Sequence, residues 1–83
     1  MRADLLPTTI EGKFWRLAEE ASEVVKAMSK FQRHGATATD PKTGVTYDNR
    51  ADVLSEVADL EHACAEVRRA LVDEWHDAVP ESD

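Results

Sequence analysis

Only one cysteine, Cys64, occurs in this chain of 83 residues. A single thiol makes neither an intrachain disulfide nor the thiolate cluster of a structural zinc site. A reducing, cytoplasmic setting is therefore expected. No apolar run approaches the roughly eighteen residues that a membrane-spanning helix needs, and Met1 to Thr9 lacks both the apolar segment and the cleavage site of a signal peptide. No membrane partner is expected. Basic residues are few: 10 Lys and Arg against 17 Asp and Glu leave a net charge of -7, the wrong sign for a surface that must displace counterions from long DNA or RNA. An acidic protein still takes up a free nucleotide when a divalent cation bridges its carboxylates to the phosphates. Length is also short. A single domain of this size buries too little surface to be comfortably stable alone, so self-association is expected.

Glycine and proline are scarce, three of each, and they stand at the margins of two long uninterrupted stretches. Pro7, Thr8 and Thr9 open the first, with Thr8 and Glu11 at capping-box spacing. Ile10, Phe14, Leu17, Ala21, Val24, Met28 and Phe31 then recur at steps of four and three, the apolar seam of a helix packed on other helices. The spacing predicts a helix over 9–33 after an N-terminal arm, 1–8. Gly35 follows basic Arg33 and His34, a favourable helix end. Residues 34–48 hold Gly35, Pro41 and Gly44 without apolar periodicity and are predicted to be a connecting loop. Asp48 or Asn49 then caps a second helix over 49–78, with Val53, Val57, Leu60, Cys64, Val67, Leu71 and Trp75 on one stripe and a polar tail at 79–83. The predicted fold is all-α: two long antiparallel helices joined by a loop. A hairpin alone leaves half of each apolar face wet, so a four-helix bundle completed by homo-oligomerisation, as dimer or tetramer, is the expected architecture.

The first helix carries Glu19, Glu20 and Glu23 as EExxE, and the second carries Glu56 and Asp59 as ExxD. Residues three apart share a helical face, and both pairs fall on the flank of their apolar seams, where the helices meet. Like charges brought together there repel, increasingly as packing removes water, so a cation is expected among them. Hard oxygen donors with no His or Cys in the set suit magnesium, or manganese, and suit zinc poorly. Taken singly, such patterns are also ordinary decoration of solvated acidic helices; their joint placement on two seam flanks is what separates the two readings.

The run LAEEASEVVKAMSKFQRHG, a loop, and then YDNRADVLSEVADLEHA resemble the MazG-like nucleotide pyrophosphohydrolases, in particular the short versions that phages encode. The resemblance spans about residues 14–67. It implies an all-α assembly that hydrolyses nucleoside triphosphates to the monophosphate and pyrophosphate by water attack at the α-phosphorus, with magnesium as cofactor. By the same resemblance Glu20, Glu23, Glu56 and Asp59 are metal ligands, and Glu19 is the leading acid that steadies a ligand or a water. Three departures stand out. The segment 35–48 lengthens the gap between the motifs, few residues follow Asp59, so that a further helix found in many relatives would have to come from another subunit, and only Arg68 and Arg69 match the basic residues after the second motif.

Lys30 and Arg33 are candidate phosphate contacts, with Lys26 beside them, although solvated charge opposite the seam is the plainer role. Trp15, off the seam, is the candidate platform for a base, whereas Phe14 reads as core. Tyr47 and Asn49 flank the loop end; Asn49 is a candidate substrate contact or a plain helix cap. His62 and His76 each follow an Asp by three residues, but His62 lies far from the seam and reads as exposed. Cys64 reads as a small buried hydrophobe. The alternative to an enzyme is a non-catalytic acidic helical oligomer that binds nucleotide or a protein partner.

Overall fold

The computed structural model describes residues 6–78, with side chains as far as residue 75. Part of the expected arm, the tail 79–83 and the His76 side chain lie outside the described residues. Two helices dominate, α1 (Ile10–His34) and α2 (Asn49–Ala78), linked through a small hairpin of β1 (Thr37–Thr39) and β2 (Thr46–Asp48). The helices run antiparallel, since Lys13 faces Glu66 and Arg16 faces His62 while Asn49 meets the end of α1. The molecule measures 67 × 24 × 15 Å. A helix with its side chains is about 10–12 Å across, so the thin dimension is a single helical layer.

α1 begins one residue later than the capping-box expectation. Thr9, not Thr8, is the N-cap, and its hydroxyl accepts from the Gly12 amide at 3.0 Å. The reason is steric: a Cβ on Gly12 would lie 2.8 Å from the Pro7 Cβ, so Pro7 folds over the first turn only because that position is bare. Glu11 is left in the first turn, where its charge suits the helix dipole. At the other end the Gly35 amide donates to Phe31 O at 2.7 Å, and Gly35 takes the positive φ, 84°, that other residues resist.

The segment expected as an irregular loop over 34–48 is corrected to an antiparallel hairpin, with Thr37 opposite Asp48, Ala38 opposite Tyr47 and Thr39 opposite Thr46. β-branched threonines favour the extended backbone, but three residues per strand are too few for an alternating pattern to show in sequence. Asp40 closes the turn by accepting the Gly44 amide on its carbonyl and the Lys42 amide on its carboxylate, each at 2.8 Å. Gly44 supplies the turn's positive φ, 75°. Asp48 then caps α2, its carboxylate accepting from the amides of Arg50 and Ala51 at 3.1 and 3.0 Å.

The line of closest helix contact is rotated from the expected seam. On α1 the buried residues are Arg16, Glu20, Val24 and Ala27, of which only Val24 belongs to the predicted stripe. On α2 they are Asn49 and Ala63, the latter 1 % exposed. Small side chains at Ala27 and Ala63 let the backbones approach, and the larger apolar groups are displaced to the flank. Leu17, Phe31, Val53, Val57, Leu60, Cys64 and Val67 are half-buried there, and Phe14, Met28, Leu71 and Trp75 are exposed. Among the described residues the buried apolar core is Val24, Ala27 and Ala63.

Candidate metal centre

The rotation that pushes the apolar stripe aside brings the motif acids to the helix contact. Glu20 on α1 and Glu56 and Asp59 on α2 each present a carboxylate oxygen, and these three atoms lie within 4.8 Å of one another. Glu56 and Asp59 sit on one face because they are three apart on a helix, and the antiparallel packing sets Glu20 against them. Glu20 is only 9 % exposed, whereas Asp59 remains open to solvent. The Glu56 carboxyl is held above the usual carboxylate range, first by desolvation and then by the negative charges of Asp59, Glu23, Asp52 and Glu20. Each of these causes opposes the charged form. The three donors are all hard carboxylate oxygens, in a field that disfavours the bare carboxylates, and they could hold a metal ion.

Glu23 is outside the convergent three. Its carboxylate is paired with Lys26 Nζ at 3.5 Å, one turn along the same helix, yet it stays close enough to raise Glu56. Glu23, Lys26, Ala27, Lys30, Asp52 and Glu56 line a cleft of about 190 Å³ beside the carboxylates. Lys30 thus lines the same cleft as Glu23, Asp52 and Glu56, and it also borders a second hollow with Tyr47, Asp48, Asn49 and Asp52. On the outer side of α1, Trp15, Glu19, Glu20 and Glu23 border a hollow of about 430 Å³. Trp15 is 73 % exposed there and Glu19 is exposed as well.

Asn49 and Arg33 stand apart from the convergent carboxylates. Asn49 is buried, and its side-chain amide donates to Gly35 O at 3.0 Å while its backbone amide donates to Ala36 O. That side chain ties the start of α2 to the end of α1. Arg33 is exposed on the last turn of α1 and borders none of the hollows described above. Of the basic pair after the second motif, Arg69 reaches Glu66 at 3.7 Å. Cys64 is half-buried on the flank as a free thiol.

Two residues at the site were not among the sequence candidates. Asp52, one turn before Glu56, lines the 190 Å³ cleft and adds to the negative field; its spacing of four from Glu56 was the available signal. Arg16, one turn before Glu20, is 7 % exposed and hydrogen-bonded to His62. No local pattern marks a buried arginine, because charged residues at that frequency on a helix ordinarily face solvent. Among the described residues no helix is long and apolar enough to cross a membrane. No protein-family model, curated protein or solved structure matches the chain.

Proposed function

We propose that the chain is a magnesium-dependent nucleoside triphosphate pyrophosphohydrolase that works as a homo-oligomer in the cytoplasm. The observation that carries this reading is the convergence of Glu20, Glu56 and Asp59 from two helices, beside a cleft that also holds Glu23, Asp52, Lys26 and Lys30. The resemblance of the EExxE and ExxD segments to MazG-like enzymes supports it independently of the geometry. Glu20, Glu56 and Asp59 would hold the ion, with Glu23 next to them. Magnesium, when bound, offsets the charge of the triphosphate and of the pyrophosphate as it leaves. Water adds to the α-phosphorus, the bond from that phosphorus to the bridging oxygen breaks, and a carboxylate of the cluster accepts the proton of the water. The products are the nucleoside monophosphate and pyrophosphate. Lys30, which lines the cleft, is assigned to the phosphates and Trp15 to the base. Asn49 contributes by tying the start of α2 to the end of α1.

Self-association is supported by surface. A compact protein of 9.3 kDa exposes ~5,000 Å², and this chain exposes 6632 Å², so about a quarter of its surface is in excess and available to further copies. Pyrophosphate release from a panel of deoxynucleoside and ribonucleoside triphosphates with magnesium tests the activity. Release by the wild type and its loss in Glu56→Gln is the expected result; no release from any nucleotide removes the enzyme reading. The pairing of Glu23 with Lys26 favours one competitor, an acidic oligomer that binds nucleotide or a protein partner without turnover. Tight nucleotide binding with no pyrophosphate, unaffected by Glu56→Gln, would be its mark.

A further inference from the structure

Along the same line of helix contact as the carboxylates lies a buried cation that no carboxylate of the described residues pairs with. Arg16 is 7 % exposed. Among the described residues its one hydrogen-bond partner is the Nδ1 of His62, which accepts from the guanidinium at 3.1 Å, and its Nε is buried with no partner. A guanidinium only donates, so the bond requires a lone pair on Nδ1 and places the imidazole proton on Nε2. That atom lies 3.9 Å from Glu66 Oε1. Glu66 is itself shared with Lys13 at 3.9 Å and Arg69 at 3.7 Å. A buried charge without an opposite partner is strongly disfavoured, and an arginine fork is shaped for two oxygens of one anion.

We propose that Arg16, positioned by His62, is the contact for the diphosphate portion of the substrate, the part that departs as pyrophosphate. Arg16 is one turn from Glu20 on α1, and His62 is three residues beyond Asp59 on α2. The guanidinium therefore forms the layer next to the carboxylate layer, separated by about one helical pitch, ~5.4 Å. A diphosphate would span that interval, from the ion that Glu20, Glu56 and Asp59 would hold to the guanidinium of Arg16. This inference rests on the proposed function for the nature of the anion. It assigns the phosphate-binding role to a buried residue of the helix contact, and leaves Lys30 as an outer contact.

Calorimetric titration of the full chain with inorganic pyrophosphate in the presence of magnesium tests it, alongside titration with magnesium alone. Arg16→Lys keeps the charge and loses the fork, and should weaken pyrophosphate binding by about tenfold or more, the worth of one charge-assisted hydrogen bond. Arg16→Met should weaken it further, and both should bind magnesium alone as the wild type does. His62→Gln retains an acceptor for the guanidinium and should restore binding to within a few fold, whereas His62→Phe should behave like Arg16→Lys. Equal pyrophosphate affinity in wild type and Arg16→Met overturns the proposal, as does a His62→Gln variant no better than His62→Phe. If Arg16→Met instead lowers the sedimenting mass while pyrophosphate binding is unchanged, a second copy of the chain is the true partner and the proposal falls. Absence of magnesium binding with Arg16-dependent pyrophosphate binding intact would overturn the metal reading and leave this one standing.

Discussion

Leu54→Gln separates a chain that works alone from one that assembles. Leu54 lies on α2 beside Met28, Phe31 and Val53, around an open apolar hollow of about 530 Å³, and is 66 % exposed in the single chain. Glutamine matches leucine in helix propensity, so on an isolated hairpin the change should move stability by less than ~0.5 kcal/mol. In an assembled bundle the same side chain is covered. Full burial of a leucine contributes ~1.5–3 kcal/mol, and two-thirds of it remains to be buried here, so each subunit forfeits ~1–2 kcal/mol. A symmetric dimer loses this twice, and at one decade per 1.4 kcal/mol its dissociation constant should rise roughly 30- to 1,000-fold. Sedimentation velocity over a dilution series reads this directly, and melts by circular dichroism should become concentration-dependent. A wild type that sediments as a 9.3 kDa species at all concentrations refutes the reasoning. So does a Leu54→Gln variant that assembles as tightly as its parent.

Three further outcomes follow from named groups. Magnesium at a hundred times its dissociation constant should stabilise the wild type by ~2.7 kcal/mol, a rise in Tm on the order of 10 °C, and Glu20→Gln should abolish most of that rise. Without metal, the raised Glu56 pKa means that the folded state binds more protons than the unfolded state in the interval above the ordinary glutamate value. Stability should therefore fall as pH rises through that interval, a fall that Glu56→Gln removes; urea unfolding at several pH values checks it. Asp48→Ala strips the cap from the amides of Arg50 and Ala51 and should cost ~1 kcal/mol while magnesium binding persists, as read by urea unfolding and by titration with the ion.

The helices were legible in sequence because each is long and its breakers are few. An end at Gly35 and a second start near Asp48 follow from glycine and capping residues alone, and the first start was read within one residue, at Thr8 where Thr9 is the cap. The hairpin was hidden because three-residue strands carry no period, and its turn is held by Asp40, Thr43 and Gly44 within the tract read as a loop. At the site, EExxE and ExxD placed acids on the seam flank, and three of those five now converge. The share of Arg16 and His62 was not legible, because it depends on how far the helix contact rotates toward the polar flank. That rotation is set by Ala27 and Ala63, whose smallness is read in sequence as absence of information.

The same rotation ties stability to ligand. A two-helix hairpin would ordinarily put its largest apolar groups at the closest contact and its charges outside. Here arginine, glutamate and asparagine occupy that contact, and leucine and the aromatic groups are left at the margin. Local rules broken in this way are characteristic of functional sites, where stability is given up for a pre-formed arrangement of charge. On the proposed reading, the acids lose their mutual repulsion when a cation binds, Arg16 gains its anion when a diphosphate binds, and the marginal apolar groups are covered when copies associate. Each event supplies something that the single chain lacks. Magnesium with pyrophosphate should therefore stabilise the assembled wild type by more than either ligand alone, and the surplus should vanish in Arg16→Met, because the coupling runs through that guanidinium. Thermal melts of the two proteins under four conditions, with neither ligand, with each, and with both, measure the surplus. Purely additive shifts in the wild type would show that the cation and the anion do not share one site.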